Sequence, residues 1–524
     1  MPIATINSVA MNTFISFSYF CSLKGAEYPE FEAKLHNYIY IAMSSNNLLE
    51  PSIVFDCFAE VNKVPRPSKK EEQMIAFLKA FGESLGLPVK VDETGNVCIS
   101  KPATPGHEHR KTVILQSHMD MVCEKNKDVD FDFSKDAIQT YVDGEWMRAK
   151  GTTLGADDGI GVAMEMAILK SNDIEHGPIE CVFTRDEETG LTGAFGMKGD
   201  FMHGDYLINL DSEDEGQIFV SCAGGVRTTA TYPFHTTPMP DGYYTFLLTV
   251  KGLNGGHSGD DINKKRANAN KLLVRFLVNV MNKFDLRLAD IQSGGLHNAI
   301  PREGHVVCAI PADKKSALLN ELETYLAAVK EEFAATEKDL QITITDHEAA
   351  KEAMDVTEMH RMLLSLYAVH NGVYAMSQDI DWLVETSSNL ASIRREGDHV
   401  VVTTSQRSSV ASNCENMAAI VRAAFELGGA QTVTNEGYPG WKFNPNSELL
   451  KIATESYQHI FGKEPKVLAI HAGLECGLFS EKYPHLDMVS FGPTLRGVHS
   501  PDERLLIPTV KMVWDHLLDI LKRV

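Results

Sequence analysis

Histidines and carboxylates recur in short loops that directly follow apolar runs. Val113-Ile114-Leu115 leads into Gln116-Ser117-His118-Met119-Asp120, and Ile179 to Thr184 leads into Arg185-Asp186-Glu187-Glu188-Thr189-Gly190. Tyr206 to Leu210 is followed by Asp211-Ser212-Glu213, and Met488 to Phe491 by a Gly/Pro turn and then His499-Ser500-Pro501-Asp502-Glu503. A Gly-rich turn ending Gly155-Ala156-Asp157-Asp158-Gly159 lies between the first two runs. Two histidines, several carboxylates and no paired cysteine make a nitrogen/oxygen donor set suited to Zn²⁺ or a similar divalent ion. A carboxylate such as Asp157 can bridge two ions, as two-metal hydrolytic sites require. The neighbours Glu187 and Glu188 suggest one ligand and one proton shuttle. Asp120, two residues after His118 on a strand end, can point to the same side and accept the other ring N–H.

Taken singly, each piece has an ordinary structural meaning. A His-x-Asp is a common loop, an Asp-Glu-Glu run a solvated face, and the Gly-rich stretch a turn with an N-cap. The ordered set reverses those readings, because every member stands at the carboxyl end of an expected strand. That is where open α/β sheets bind ligands.

The elements that must position these loops follow from periodicity. Val113 to Leu115, Ile179 to Thr184 and Tyr206 to Leu210 read as buried strands. Ile160, Ala163, Met164, Ala167 and Ile168 repeat at helical steps between the first two. Alternating strands and helices predict an α/β unit with a mostly parallel sheet and flanking helices. From about 225 the texture changes, with strands at Tyr243 to Val250, Val306 to Ile310, Ile342 to Ile344 and Val400 to Thr404. Helices are expected over Asn263 to Phe284 and Lys315 to Lys338. After about 440 the first texture returns, with helices Ser447 to Ile460 and Thr509 to Lys522 and strands Val467 to Ile470 and Met488 to Phe491. The expectation is a discontinuous catalytic domain, 43–224 and 436–524, interrupted by an inserted α+β domain, 225–435. Residues 1–42 look unlike the rest, and Met43 is the expected start, with the preceding segment an extension or a start-codon error.

The 524 residues are about three times the ~150 typical of one domain, so two or three domains are expected. Hydrophobic residues at 44% and charged residues at 23% exclude wholesale disorder and fibrous architectures. A formal net charge of −22 argues against binding nucleic acid through a basic field. Nine scattered cysteines without a Cys-x-x-Cys pair point to a reducing, cytoplasmic compartment. No run of 18 apolar residues predicts a membrane span.

The motif order Ser-His-Met-Asp, Gly-Ala-Asp-Asp-Gly, Asp-Glu-Glu-Thr-Gly, Leu-Asp-Ser-Glu and His-Ser-Pro-Asp-Glu resembles the co-catalytic zinc peptidases of the aminoacylase/carboxypeptidase clan. The stretches after Gln116 and around Gly492 to Glu503 resemble its aminoacyl-histidine dipeptidase branch, also called Xaa-His dipeptidase or peptidase D. The resemblance covers about residues 50 to 524. It implies hydrolysis of a small peptide, with two divalent ions, zinc or else cobalt or manganese. It further implies that His118 and Asp211 hold one ion, Glu188 and His499 the other, and Asp157 bridges them across a cis peptide to Asp158. Glu187 would be general base and acid, and Asp120 would orient His118. His257, in Gly-Gly-His-Ser-Gly, resembles a lid histidine that steadies the oxyanion. Asn298 and Arg407 match lid positions for the substrate carboxylate, which the Arg407 fork suits physically. Glu475 is placed to meet a substrate amino group. His471 also follows a strand, but the resemblance puts the last ligand at His499; His297 and His305 read as structural. By the same analogy the inserted domain is a lid and a homodimer surface.

Other readings stay open on sequence alone. The same core serves tripeptidases, N-acyl amino acid hydrolases and carboxypeptidases, and a metal-stabilised protein that binds peptides without cutting them is a different class. A two-metal phosphoesterase would want basic clamps that Arg185, Arg407 and Arg496 do not obviously form.

Overall fold

The computed structural model describes residues 49–378, 380 and 382–524; the expectations about residues 1–42 and Met43 lie outside them. Apolar runs without alternation become strands covered on both faces. The first sheet contains β1 (Val89–Val91), β2 (Val97–Lys101), β3 (Val113–His118), β4 (Ile179–Thr184), β5 (Tyr206–Asn209), β6 (Gln217–Cys222), β7 (Lys466–Ile470) and β8 (Asp487–Ser490). Their spatial order is β1-β2-β4-β3-β5-β8-β6-β7. The central strands β4, β3, β5 and β8 are parallel, and so are β6 and β7 to each other. Antiparallel pairing is confined to β1–β2, β2–β4 and β8–β6. Every residue of β3 and β4 is buried. The two-residue side-chain period then divides them between two cores. Val113 and Leu115 join the helices Ser52–Val61, Ala156–Lys170 and Ile507–Arg523, whereas Ile114 faces Cys476, Phe479 and Tyr483.

Between Gly224 and Thr434 the chain builds a second, nine-stranded sheet. Its core draws on residues 230 to 430, while the cores around the first sheet draw on residues 54 to 222 and 441 to 521. The chain leaves and returns side by side, with Cys222 bridged to Trp441 and Gly225 to Tyr438.

Two expected helices are shorter in the structure. The one expected from Asn263 spans Ala269–Met281. Arg266 ties back to the Gly255 carbonyl and to Asp261 (3.0 Å), which holds the preceding residues in turns, and the Asn268 side chain then caps the helix by accepting from Lys271 N–H at 3.2 Å. The one expected to reach Lys338 spans Lys315–Glu332. Beyond it, the Glu337 carboxylate accepts from Asn254 N–H (2.8 Å) and Ala267 N–H (2.9 Å), so that turn is held to a different loop.

A buried histidine in the C-terminal helix gives the first core a pH dependence. His516 lies against the rings of Tyr457 and Phe491, its Nε2 is 2.8 Å from the Ala453 carbonyl, and burial pushes its pKa down to about 4. The unfolded chain takes up this proton near pH 6.5 and the folded one only near 4. Stability is therefore complete above pH 6.5 and is lost as the pH falls through that window, by at most about 3 kcal/mol. Urea unfolding of the wild type should weaken more steeply between pH 6.5 and 4 than that of His516→Gln; equal slopes would exclude this contribution.

Candidate active site

The site sits where the parallel strands of the first sheet end. His118 is the last residue of β3, Glu187 and Glu188 follow β4, Asp211 follows β5, and His499 lies in the turn after β8. Asp157 stands at the entrance of the helix Ala156–Lys170, where Asp157 and Asp158 are non-helical and joined by a cis peptide. The two oxygens of Asp157 face different partners. Oδ1 is 3.1 Å from His118 Nε2, which is also 3.4 Å from Asp211 Oδ1. Oδ2 is 3.2 Å from His499 Nε2, which is 2.9 Å from Glu188 Oε2. The five side chains thus form two sets, His118 with Asp211 and His499 with Glu188, sharing one carboxylate.

The local backbone explains how these residues arrive. Asp186 and His499 are held at φ 51° and 61°, the left-handed region that costs a non-glycine residue about 1–2 kcal/mol. The Asp186 carboxylate accepts from the hydroxyls of Thr189 and Thr192, which fixes the turn bearing Glu187 and Glu188. Asp120 serves two segments at once. Its Oδ1 is 3.4 Å from His118 Nδ1, close enough for an ion pair but not aligned as a hydrogen bond, and it accepts from the backbone N–H of Glu187 at 3.0 Å. Its Oδ2 accepts from Ser68 Oγ at 2.7 Å and from Glu188 N–H at 3.3 Å.

Electrostatically the site is a crowd of carboxylates drawn out of water. Burial, reinforced by Asp211, Glu475 and Glu188, holds the Glu187 carboxyl well above its usual range against the opposing pull of His118. Burial pushes Asp211 up to about 7 despite His118. Burial acts in the same sense on Asp157, but hydrogen bonds from His118 and His499 override it and hold that carboxyl well below the usual range. His499 is pushed up to about 11 by its hydrogen bonds to Asp157 and Glu188. His118 is raised too: burial lowers it, and Asp211, Asp120 and Asp157 outweigh burial.

This donor set fits a divalent cation. Ligand atoms of His118, Asp157 and Glu188 all lie within 4.8 Å of one another. Glu188 Oε1 is buried without a hydrogen-bond partner. Two imidazoles and three carboxylates suit zinc, cobalt or manganese, and cation binding there would displace the protons that the imidazoles otherwise keep.

The remaining candidates lie outside the five. Glu475 is 1% exposed, and its Oε2 accepts from Gln116 Nε2 and Thr184 Oγ1, both at 2.7 Å. Its Oε1 has no partner, and burial pushes the carboxyl up to about 7. His257 lies in a two-residue strand, Gly256–His257, paired with Ala299–Ile300. Its Nδ1 faces the backbone N–H groups of Gly259 (3.3 Å) and Asp260 (3.2 Å) and lies 3.5 Å from the Asp260 carboxylate. Asn298 is exposed beside it, its carbonyl accepting from Ser258 N–H at 2.8 Å, and Ala299 pairs with His257. Arg407 is buried and donates to the Tyr438 hydroxyl at 2.6 Å.

His471 is not among the five. Its Nε2 lies 2.7 Å from Ser387 Oγ, and burial together with Arg407 pushes its pKa down to about 3. Its carbonyl packs so closely on Gly259 that a Cβ there would stand 2.0 Å away. His297, also lowered by burial and by Arg227 and Arg407, is half-buried, and His305 is exposed on a strand.

Sequence reasoning missed four supporting groups. Gln116 and Thr184 hold Glu475, and Arg66 and Glu503 hold the backbone around Asp157. Glu503 stood inside a quoted motif without a role. Arg66 gave no signal, since Val-Pro-Arg-Pro-Ser reads as a surface loop.

The sequence model of peptidase family M20/M25/M40 matches residues 114–523. The chain is 42% identical over 482 residues to the cytosol non-specific dipeptidase of Escherichia coli, covering 92% of this chain and 99% of that one. The crystal structure of aminoacylhistidine dipeptidase from Vibrio alginolyticus is similar at 43% identity and a TM-score of 0.85, covering 91% of this chain and 97% of the other. A tripeptidase from Staphylococcus aureus shares the fold alone, at 17% identity and a TM-score of 0.54, over 91% of this chain and 99% of its own. With four-fifths of its length matched and two relatives similar nearly end to end, the chain belongs to peptidase family M20/M25/M40.

Proposed function

We propose that this protein is a metal-dependent dipeptidase that hydrolyses Xaa-His and related dipeptides. One observation carries the reading: the two oxygens of Asp157 face separate histidine–carboxylate sets, with Glu187 beside them. Two divalent ions held by His118 and Asp211, by Glu188 and His499, and jointly by Asp157 would polarise the scissile carbonyl and acidify a water towards pKa ~7. Glu187 takes a proton from the attacking water and delivers it to the leaving nitrogen, a task that its raised proton affinity suits. Asp120 holds His118 and the Glu187–Glu188 backbone in one register.

Glu475 receives the substrate ammonium on its unpartnered Oε1. Arg407, with Asn298, binds the substrate carboxylate, and His257 donates its Nε2 proton to the developing oxyanion. Residues 225–435 then act as the lid, and as the surface of a homodimer. The names of the two similar dipeptidases support the substrate class, and the cytosol relative supports a cytoplasmic setting. Among the described residues no helix is long and apolar enough to cross a membrane. Exposed Leu364, Tyr367, Tyr374 and Met376 support the dimer, which sedimentation measures directly.

Glu187→Gln should lower kcat on Ala-His by at least about a thousandfold while retaining two equivalents of zinc by elemental analysis; turnover near wild type at full occupancy would remove Glu187 from the proton-transfer role. Replacing Glu475 with glutamine should reduce kcat/KM on Ala-His by about 10–100-fold, the loss of one charged hydrogen bond. A faster reaction of the wild type on a tripeptide or an N-acetyl amino acid would overturn the dipeptidase assignment, and binding of Ala-His without hydrolysis would overturn catalysis altogether.

A further inference from the structure

Arg66 and Glu503 are buried charges, 1% and 2% exposed, that take no part in the chemistry above. Glu503 accepts four consecutive backbone N–H groups. Oε2 takes those of Leu154 (2.7 Å) and Gly155 (2.9 Å), and Oε1 those of Ala156 (2.8 Å) and Asp157 (3.3 Å). Arg66 donates to the carbonyls of Gly155 (2.6 Å) and Asp120 (3.0 Å), with that of Met119 at 3.4 Å. The Gly155 residue is therefore gripped through its N–H by an anion and through its carbonyl by a cation. A buried charge is costly unless paired or fully hydrogen-bonded. Here Glu503 is solvated by the peptide groups of one loop and Arg66 by carbonyls of that loop and of the Met119–Asp120 segment, and the two charges compensate each other.

The glycines of the Gly155-Ala156-Asp157-Asp158-Gly159 turn fit the same purpose. A Cβ on Gly155 or on Gly159 would stand 2.5 Å from Arg66 Nη2, so both positions leave space for the guanidinium. Gly155 also needs φ +65°, whereas Gly159 adopts no such torsion, so only the space argues for glycine there. Three separate segments meet at this clamp: the one carrying His118, the one carrying Asp157, and the one carrying His499 four residues before Glu503.

We infer that Arg66 and Glu503 are positioning residues that fix the Asp157 carboxylate against His118 and so set the affinity and geometry of cation binding. The inference rests on the two-cation reading of the site. A clamp that merely stabilised the fold would be served as well by apolar residues of similar volume. A clamp that positions a ligand must show in the ligand field.

The full-length protein with Glu503→Gln tests this, because the amide keeps the size but turns one acceptor into a donor facing two N–H groups. Zn²⁺ affinity, measured against a chromophoric chelator, should fall about 10–100-fold, as for other groups that support ligands from behind. At saturating Co²⁺ the visible absorption bands should shift in position or intensity. A folded variant with wild-type zinc affinity and unchanged cobalt bands overturns the inference. Should Glu503→Gln not fold, Gly159→Ala displaces the Arg66 side of the clamp and is held to the same two readings. A wild type that binds fewer than two cations overturns the two-cation reading itself, a failure distinct from a wild type that binds two and a variant that binds them equally well.

Discussion

One carboxylate placed between two imidazoles is the constraint on which the rest of this structure depends. Asp157 presents Oδ1 to His118 and Oδ2 to His499, and those histidines come from opposite ends of the chain. Each is also met by its own second carboxylate, Asp211 or Glu188. Such an arrangement tolerates little freedom, since a shift of either strand end would move one set away from the shared group. The parallel centre of the first sheet supplies the common plane, because parallel strands deliver all their carboxyl ends to one edge.

Concentrating carboxylates at a buried edge is electrostatically unfavourable, and the surroundings show how the fold offsets it. Asp120 is neutralised by His118 and by hydrogen bonds from Ser68 and two backbone groups. Glu503 is dispersed over four peptide N–H groups, and Glu475 is half satisfied by Gln116 and Thr184. Glu188 Oε1 and Glu475 Oε1 are left without partners at the site, and so are Asp158 Oδ2 and both oxygens of Glu165 in the helix Ala156–Lys170.

The segment between Gly224 and Thr434 keeps its own core against its own sheet. Its contacts to the first sheet's chain are specific and polar. Ser387 meets His471, and Gly259 lies against the His471 carbonyl four residues before Glu475.

Much of this was legible in the residues. The run Val113-Ile114-Leu115 shows no polar–apolar alternation because both faces of its strand are covered, and the helix Glu448–Phe461 begins at a serine cap. The gathering of His118, Glu188, Asp211 and His499 could be expected because each follows a strand of the first sheet, whereas Asp157 arrives from the entrance of a helix. Other features had no local signal. Val384–Glu396 begins Val-Glu-Thr-Ser-Ser-Asn, which reads as a loop, yet it is buried throughout this stretch. Ser387 finds His471, Thr386 finds Ser408 and Asn389 finds the Ala299 carbonyl, partners distant in sequence that remove the cost of burying them. Arg66 is buried for the same reason, in a segment whose prolines suggest a surface turn. Composition and periodicity report how a residue's own neighbours are arranged, so they determined the strands, the helices and the order of the chemical groups. Whether a polar side chain is buried depends on hydrogen-bond partners brought by other segments, and only the tertiary structure decided that.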